Sequence, residues 1–140
     1  HRACALRTLW IHRRSKASRM LALPWLASFG YVLLGLYYAV NGALHFRHFA
    51  GLSATLSARR IPCADATLAI GSIFQLIAGT MLALQFQLRL AALGLAAFTV
   101  LASLMMLDFR RAEGAAREAA IRAWQANLAL TGALLAIARA

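Results

Sequence analysis

Polar side chains are scarce in this sequence, and those that interrupt its apolar stretches are the ones that could do chemistry. Asn41 and His45 stand at i and i+4, with Tyr37 and Tyr38 one helical turn earlier. Gly71, Gln75 and Gly79 make a small–polar–small row at intervals of four. Gln125, Asn127 and Thr131 follow near the carboxyl end, and Asp108 stands where the third apolar stretch closes. Such groups are costly inside hydrocarbon, so each calls for a partner or a ligand. Asn41, His45, Gln75, Asp108, Gln125 and Asn127 therefore form one candidate polar seam for hydrogen bonding or ligand binding. The structural alternative is that small residues let helices approach while amides bond across them.

No self-sufficient catalytic set stands out. His45 and His48 at i and i+3 could share a metal, but no carboxylate or thiol is spaced to complete the site. A bis-histidine haem needs histidines on facing helices, and residues 66–138 contain none. Cys4 and Cys63 form neither a CxxC pair nor a disulfide framework. With four acidic residues in the whole chain, a carboxylate-pair mechanism has little to draw on. No catalytic residue, metal ligand or cofactor is assigned from the residues themselves, and the reading leans away from an enzyme.

What must position the seam is a membrane bundle. Of 140 residues 62% are hydrophobic and 14% charged, against roughly 25% charged in soluble domains; mean hydropathy is +0.68. Acidic and basic residues are absent from residues 20–46, 66–88, 90–107 and 123–138. A helix needs about 20 mostly apolar residues to cross about 30 Å of hydrocarbon. The first two stretches exceed that length. The third reaches it with Arg89 snorkelling, and the fourth with Ile121 and Arg122 added. The expected fold class is all-α: an integral membrane four-helix transmembrane bundle, with spans at about 25–46, 66–86, 88–107 and 121–138.

The connections agree with that count. Residues 85–89 are so short a link that the second and third spans must be antiparallel neighbours. Between 47 and 63, Phe49, Leu52 and Leu56 fall on one helical face before Arg59 and Arg60. That pattern predicts a short helix lying on the headgroups, ended by Pro62, with Asp65 capping the next span. Glu113–Arg117 and Glu118–Arg122 at i and i+4 predict a helical lead into the fourth span.

The net charge is +11. No recognition helix or aromatic strand platform accompanies it, so nucleic acid is not the expected partner; basic loops meeting anionic lipid headgroups are. Residues 1–19 hold six Lys/Arg and no acid, and form a basic extension apart from the 20–140 membrane domain. Sequence upstream of a start at Met20, a basic anchor and an organelle presequence are the competing readings, the first favoured. Orientation depends on that choice. Beyond residue 19, residues 47–60 and 110–122 carry seven Arg against Arg89 and Arg139, and including 1–19 levels the tally.

Taken together, residues 25–138 resemble the DoxX family of small four-span membrane proteins. Gly-Leu-Tyr-Tyr-Ala-Val-Asn-Gly-Ala-Leu-His-Phe at 35–46 is similar to the family's glycine and polar residue near the first helix end. Ala-Arg-Arg-Ile-Pro at 58–62 resembles its G-[IV]-P approach to the second span. Gln-Leu-Ile-Ala-Gly-Thr-Met-Leu at 75–82 resembles its E-x-x-G-G-x-x-L. Leu-Asp-Phe at 107–109 is similar to the end of its third span, and residues 125–135 to its closing N-L-A-L-x-G segment. Members often carry Glu where this chain has Gln75 and His where it has Leu107. Gln cannot titrate and Leu cannot ligate, which weakens an enzymatic reading further.

The family takes its name from a subunit associated with thiosulfate:quinone oxidoreductase. The resemblance thus implies a non-catalytic accessory or scaffold subunit of a membrane redox complex, multi-pass in the inner membrane and beside a protein partner. An organelle membrane is the alternative if residues 1–19 are a transit peptide. A quinone-handling oxidoreductase subunit is the second reading, with quinone bonded by Asn41, His45, Gln75 and Asn127. A small-molecule transporter is the third, although neither broken helices nor inverted repeats are evident.

Overall fold

Helices in this chain begin and end where backbone chemistry requires. The computed structural model describes residues 24–107 and 112–139. The 1–19 extension and Asp108 lie outside the described residues. Five helices follow in order: α1 Pro24–Arg47, α2 Phe49–Ala58, α3 Ala64–Ala83, α4 Leu88–Met106 and α5 Gly114–Ala138. Pro24 is the first residue of α1, where its fixed φ fits and its missing N–H is not needed. Two compact units divide inside α1, between Gly30 and Tyr31. The first is described only over residues 24–30, the opening of that helix; the second, from Tyr31 onward, holds the bundle.

The short connections use left-handed residues that are not glycine. After α2, Arg60 (φ 58°) donates its N–H to Ser57 O, and Ile61 donates to Leu56 O. After α3, Gln85 (φ 56°) donates to Leu82 O and Phe86 to Met81 O. Both are Schellman endings, which satisfy the last carbonyls of a helix. Ile61 completes the first one by packing near Leu56. A left-handed side-chain residue costs about 1–2 kcal/mol. Arg60→Gly is therefore expected to raise stability by about 1 kcal/mol, read as a higher thermal midpoint in detergent.

The interior is made of small residues and the exterior of large ones. The core gathers Ala78, Ala91, Ala92 and Ala96 around Tyr38, Leu82, Leu95 and Leu134. Ile70, Leu90, Leu101 and Leu104 point outward and are more than half exposed. Lipid tails are as apolar as leucine, so helices associate there through close backbone approach, which small residues permit.

Glycines set those approaches. At Gly35 an added methyl would meet Ala83 N and lie 2.6 Å from Gly79 O. At Gly42 it would lie 2.9 Å from Ser72 O, and at Gly79 2.7 Å from Ala39 N. Contacts running from 35–83 to 42–72 make α1 antiparallel to α3 with backbones touching. Between α3 and α4 the fit is reciprocal: Phe98 covers Gly71 and Phe74 covers Gly94, with the two rings 5.7 Å apart. The 71–75–79 row is thus not one face. Four residues turn about 400°, so the row drifts from α4 at Gly71 to α1 at Gly79.

Three helices, α1, α3 and α4, are long and apolar enough to cross a membrane. The 25-residue α5 carries Arg117, Glu118 and Arg122 in its first half, which lowers its hydropathy. Packing places it instead. Asn127 bonds Ser103, and Leu134 joins Ala91, Ala92 and Leu95, so α5 runs antiparallel along α4.

Three expectations for the connections change. The α2 helix forms, but Leu56, Phe49 and Leu52 pack with Leu68, Met105 and Met106, so this stripe turns to the bundle and not to headgroups. Arg59 Nη1 donates to Met105 O at 3.1 Å, latching α2 to the carbonyl end of α4. Asp65 does not cap α3; Cys63 takes the N-cap position with no side-chain cap bond. Asp65 lies in the first turn, where its charge suits the helix dipole and its Oδ1 accepts from Ser53 Oγ of α2. Glu113 is the extended N-cap residue of α5, and no ion pair joins it to Arg117 among the described residues. The Glu118–Arg122 pair forms at 3.9 Å but is largely exposed and contributes little.

Candidate functional site

In an apolar helix a hydroxyl has no water to bond, so it donates to the carbonyl one turn back. Ser72 Oγ donates to Leu68 O at 2.7 Å. Thr99 Oγ1 donates to Leu95 O at 2.7 Å, and Ser103 Oγ to Thr99 O at 2.6 Å. Each hydroxyl hydrogen is then committed and each oxygen is left as an acceptor. A donor from another helix meets each one. Tyr38 OH reaches Thr99 Oγ1 at 2.7 Å, His45 Nδ1 reaches Ser72 Oγ at 3.2 Å, and Asn127 Nδ2 donates to Ser103 Oγ at 2.8 Å. Three cross-helix bonds of one polarity tie α1 to α4, α1 to α3 and α5 to α4.

Tyr38 is buried in the core, so its bond is a direct test of this arrangement. Tyr38→Phe is expected to cost about 1 kcal/mol. Thr99→Val added to it should cost less than it does alone, because the shared bond is already gone. Thermal midpoints of the two single variants and the double variant check this coupling.

These bonds border a cavity of about 630 Å³, mostly apolar, with walls that include Leu52, Leu56, Phe74, Phe98, Met105 and Met106. Asn41, His45, Gln75 and Asn127 all line it. Its size falls within the roughly 300–1,000 Å³ of small-molecule sites. Asn41 Nδ2 donates to Tyr37 O of its own helix at 2.7 Å. Gln75 is 5% exposed, and its Oε1 is buried with no hydrogen-bond partner. An orphaned buried acceptor costs about 1–3 kcal/mol.

Gln125 is exposed and lines no part of the cavity. Two residues turn a helix by about 200°, so Gln125 and Asn127 cannot share a face. Asp108 lies outside the described residues. No group of three His, Cys, Asp or Glu residues that could hold a metal gathers among the described residues.

The residues missed at the sequence level are Tyr38 as a seam member, Ser72, Thr99 and Ser103. Thr99 and Ser103 at i and i+4 in an apolar helix were a usable signal. A hydroxyl there adds an acceptor that a neighbouring helix can find.

The family model described as DoxX matches residues 27–108, from α1 through α4, and leaves α5 with Asn127 outside the matched segment. No curated protein and no solved structure matches the chain. The chain belongs to the DoxX family.

Proposed function

We propose that this DoxX-family membrane protein is a non-catalytic subunit that holds a quinone-type ring for a redox partner in the cell's inner membrane. The observation that carries the reading is the apolar cavity itself, which is lined by the carboxamides of Asn41, Gln75 and Asn127. A quinone-type ring on an apolar tail suits such a space. Its body packs on the walls of Phe74, Phe98, Met105 and Met106, while its ring oxygens accept from the amide hydrogens of Asn41, Gln75 and Asn127. A bound ring of this kind supplies two-electron redox chemistry, and the chain's own groups bind and orient it. Gln75 stands where relatives often carry Glu, so this chain offers no carboxyl at that position for moving a proton. Electron transfer then falls to the partner.

The test is direct. Purified protein in detergent or nanodiscs is titrated with a short-tailed quinone while thermal midpoint and quinone absorbance are followed. A saturable shift is expected, weakened by Asn127→Ala, with partner co-purification kept in the variant. If neither signal moves in the unmodified protein, the ring-binding reading is wrong and a pure scaffold replaces it.

A further inference from the structure

The short helix α2 is packed apart from the rest of the bundle. The buried apolar residues form two clusters that share no member. One joins Tyr38, Leu82, Leu95 and Leu134 across α1, α3, α4 and α5. The other joins Leu56 of α2 to Ala64 and Leu68 of α3, with Phe49, Leu52, Met105 and Met106 around them. The cavity lies between the two, lined by Tyr38 from the first and by Leu52, Leu56 and Leu68 from the second. On its other side α2 exposes Ala50, Gly51, Ala54, Thr55 and Ala58. The outward sides of α1, α3 and α4 carry large residues such as Leu33, Ile70 and Leu101, so this small outer face is not built for lipid tails. It belongs to the end of the bundle, where α1 stops at Arg47 and α4 at Met106. Two side-chain bonds hold the helix there: Arg59 Nη1 donates to Met105 O at 3.1 Å, and Ser53 Oγ donates to Asp65 Oδ1.

We infer that α2 is a lid, a segment that opens the cavity to the aqueous side at this end while the four long helices stay packed. Lifting it breaks the second cluster and the two bonds, and leaves α1, α3, α4 and α5 joined through the first. A segment held by few buried apolar contacts opens at a lower free energy than the core it covers. Its connection to α3 favours release. Arg60 (φ 58°) and Cys63 (φ 50°) both stand in the left-handed region without being glycine, a conformation that side chains disfavour. Opening relieves strain that closure imposes. Met105 and Met106 suit the seam, because an unbranched thioether chain refills space when its neighbour moves. Arg59 and Asp65 act as the latches, the guanidinium on the carbonyl end of α4 and the carboxylate on the hydroxyl of Ser53. None of this depends on a ring, so the lid governs entry for any occupant of the cavity.

Two measurements on the full chain in nanodiscs test this, both without a ligand. In the first, amide hydrogen exchange is followed by mass spectrometry. The α2 amides are expected to exchange faster than those of α4. Arg59→Ala should speed α2 about tenfold, the effect of losing one hydrogen bond from a charged donor, and leave α4 unchanged. Arg60→Gly should slow α2, because the closed connection is then unstrained. In the second, a membrane-impermeant maleimide is offered to Leu68→Cys in a Cys4→Ser, Cys63→Ser background. Labelling is expected to be slow, and faster when Ser53→Ala or Arg59→Ala is added. Leu134→Cys, in the other cluster, should stay unlabelled throughout. If α2 and α4 exchange faster together, or Leu68→Cys and Leu134→Cys label faster together, the bundle opens as one unit and the lid is overturned. Unchanged α2 exchange with both latches removed overturns it as well. The exchange measurement needs no introduced cysteine and decides the matter if Leu68→Cys does not fold. Ring titration is independent of either result, so the lid and the ring-binding reading fail separately.

Discussion

Gly35→Ala is expected to destabilise the bundle by about 3 kcal/mol, the upper range for forcing extra volume into a packed interior. The methyl would meet Ala83 N, Gly79 O at 2.6 Å and Ala83 Cα at 2.8 Å. All three are backbone atoms of α3, so no side chain can swing aside, and the helices must separate along the contact. Gly79 on the facing helix and Gly42 further along α1 are also closed, with nearest backbone atoms at 2.7 Å and 2.9 Å, and separation at one loosens the others. Gly132→Ala is the control, because an added methyl there finds nothing within 4 Å. It should be neutral or slightly stabilising, since Ala is the better helix former. Unfolding in mixed detergent measures both variants. Equal stability of Gly35→Ala and the parent would mean that α1 and α3 do not touch as described.

Gln75→Leu is expected to move stability and binding in opposite directions. Leu has a similar volume and no polar atom, so the variant removes an orphaned acceptor from the interior. Relief of that penalty should raise stability by about 1–3 kcal/mol. The same change deletes a polar group from the cavity wall, and binding of the short-tailed ring should fall beyond detection. A residue kept for packing alone would behave otherwise, with stability falling when it is replaced. Thermal midpoint and ring titration on the same preparation separate the two cases, and a loss of stability without loss of binding would sink the ligand role of Gln75.

Much of the fold was legible in the sequence because lipid imposes a length rule. Stretches without charge at 20–46, 66–88 and 90–107 correspond to α1, α3 and α4, and residues 84–87 were too few for anything but a hairpin. Pro62 marked a connection. The turn chemistry was harder to see. Schellman endings usually advertise themselves with glycine, and here Arg60 and Gln85 occupy the left-handed positions. The apolar stripe of α2 was legible as a stripe, but whether it faced lipid or protein was not.

The seam divides in the same way. Asn41, His45, Gln75 and Asn127 were identifiable because a polar group inside an apolar stretch is expensive wherever it points. Gln125 carried the same signal and stands on another face of α5 from Asn127. Ser72, Thr99 and Ser103 carried a weaker one, because a hydroxyl can satisfy its hydrogen within its own helix.

By itself, then, the sequence determined that this protein is helical and membrane-embedded, and which side chains are polar within it. Helix length against bilayer thickness and the cost of burying charge are properties of each segment alone. Tertiary structure decided which faces meet, that α5 is carried beside α4, and that four separated polar residues line one cavity. The physical reason lies in the solvent. In water, a helix with one apolar face announces where its core lies. In lipid both sides of the helix are apolar surroundings, so contacts are chosen by backbone approach at Gly35, Gly42 and Gly79 and by hydrogen-bond partners on other helices. Both are properties of pairs of segments, and that holds for the seam as well. Polarity placed Gln75 on the list of candidates; only the packing around it left its oxygen without a partner.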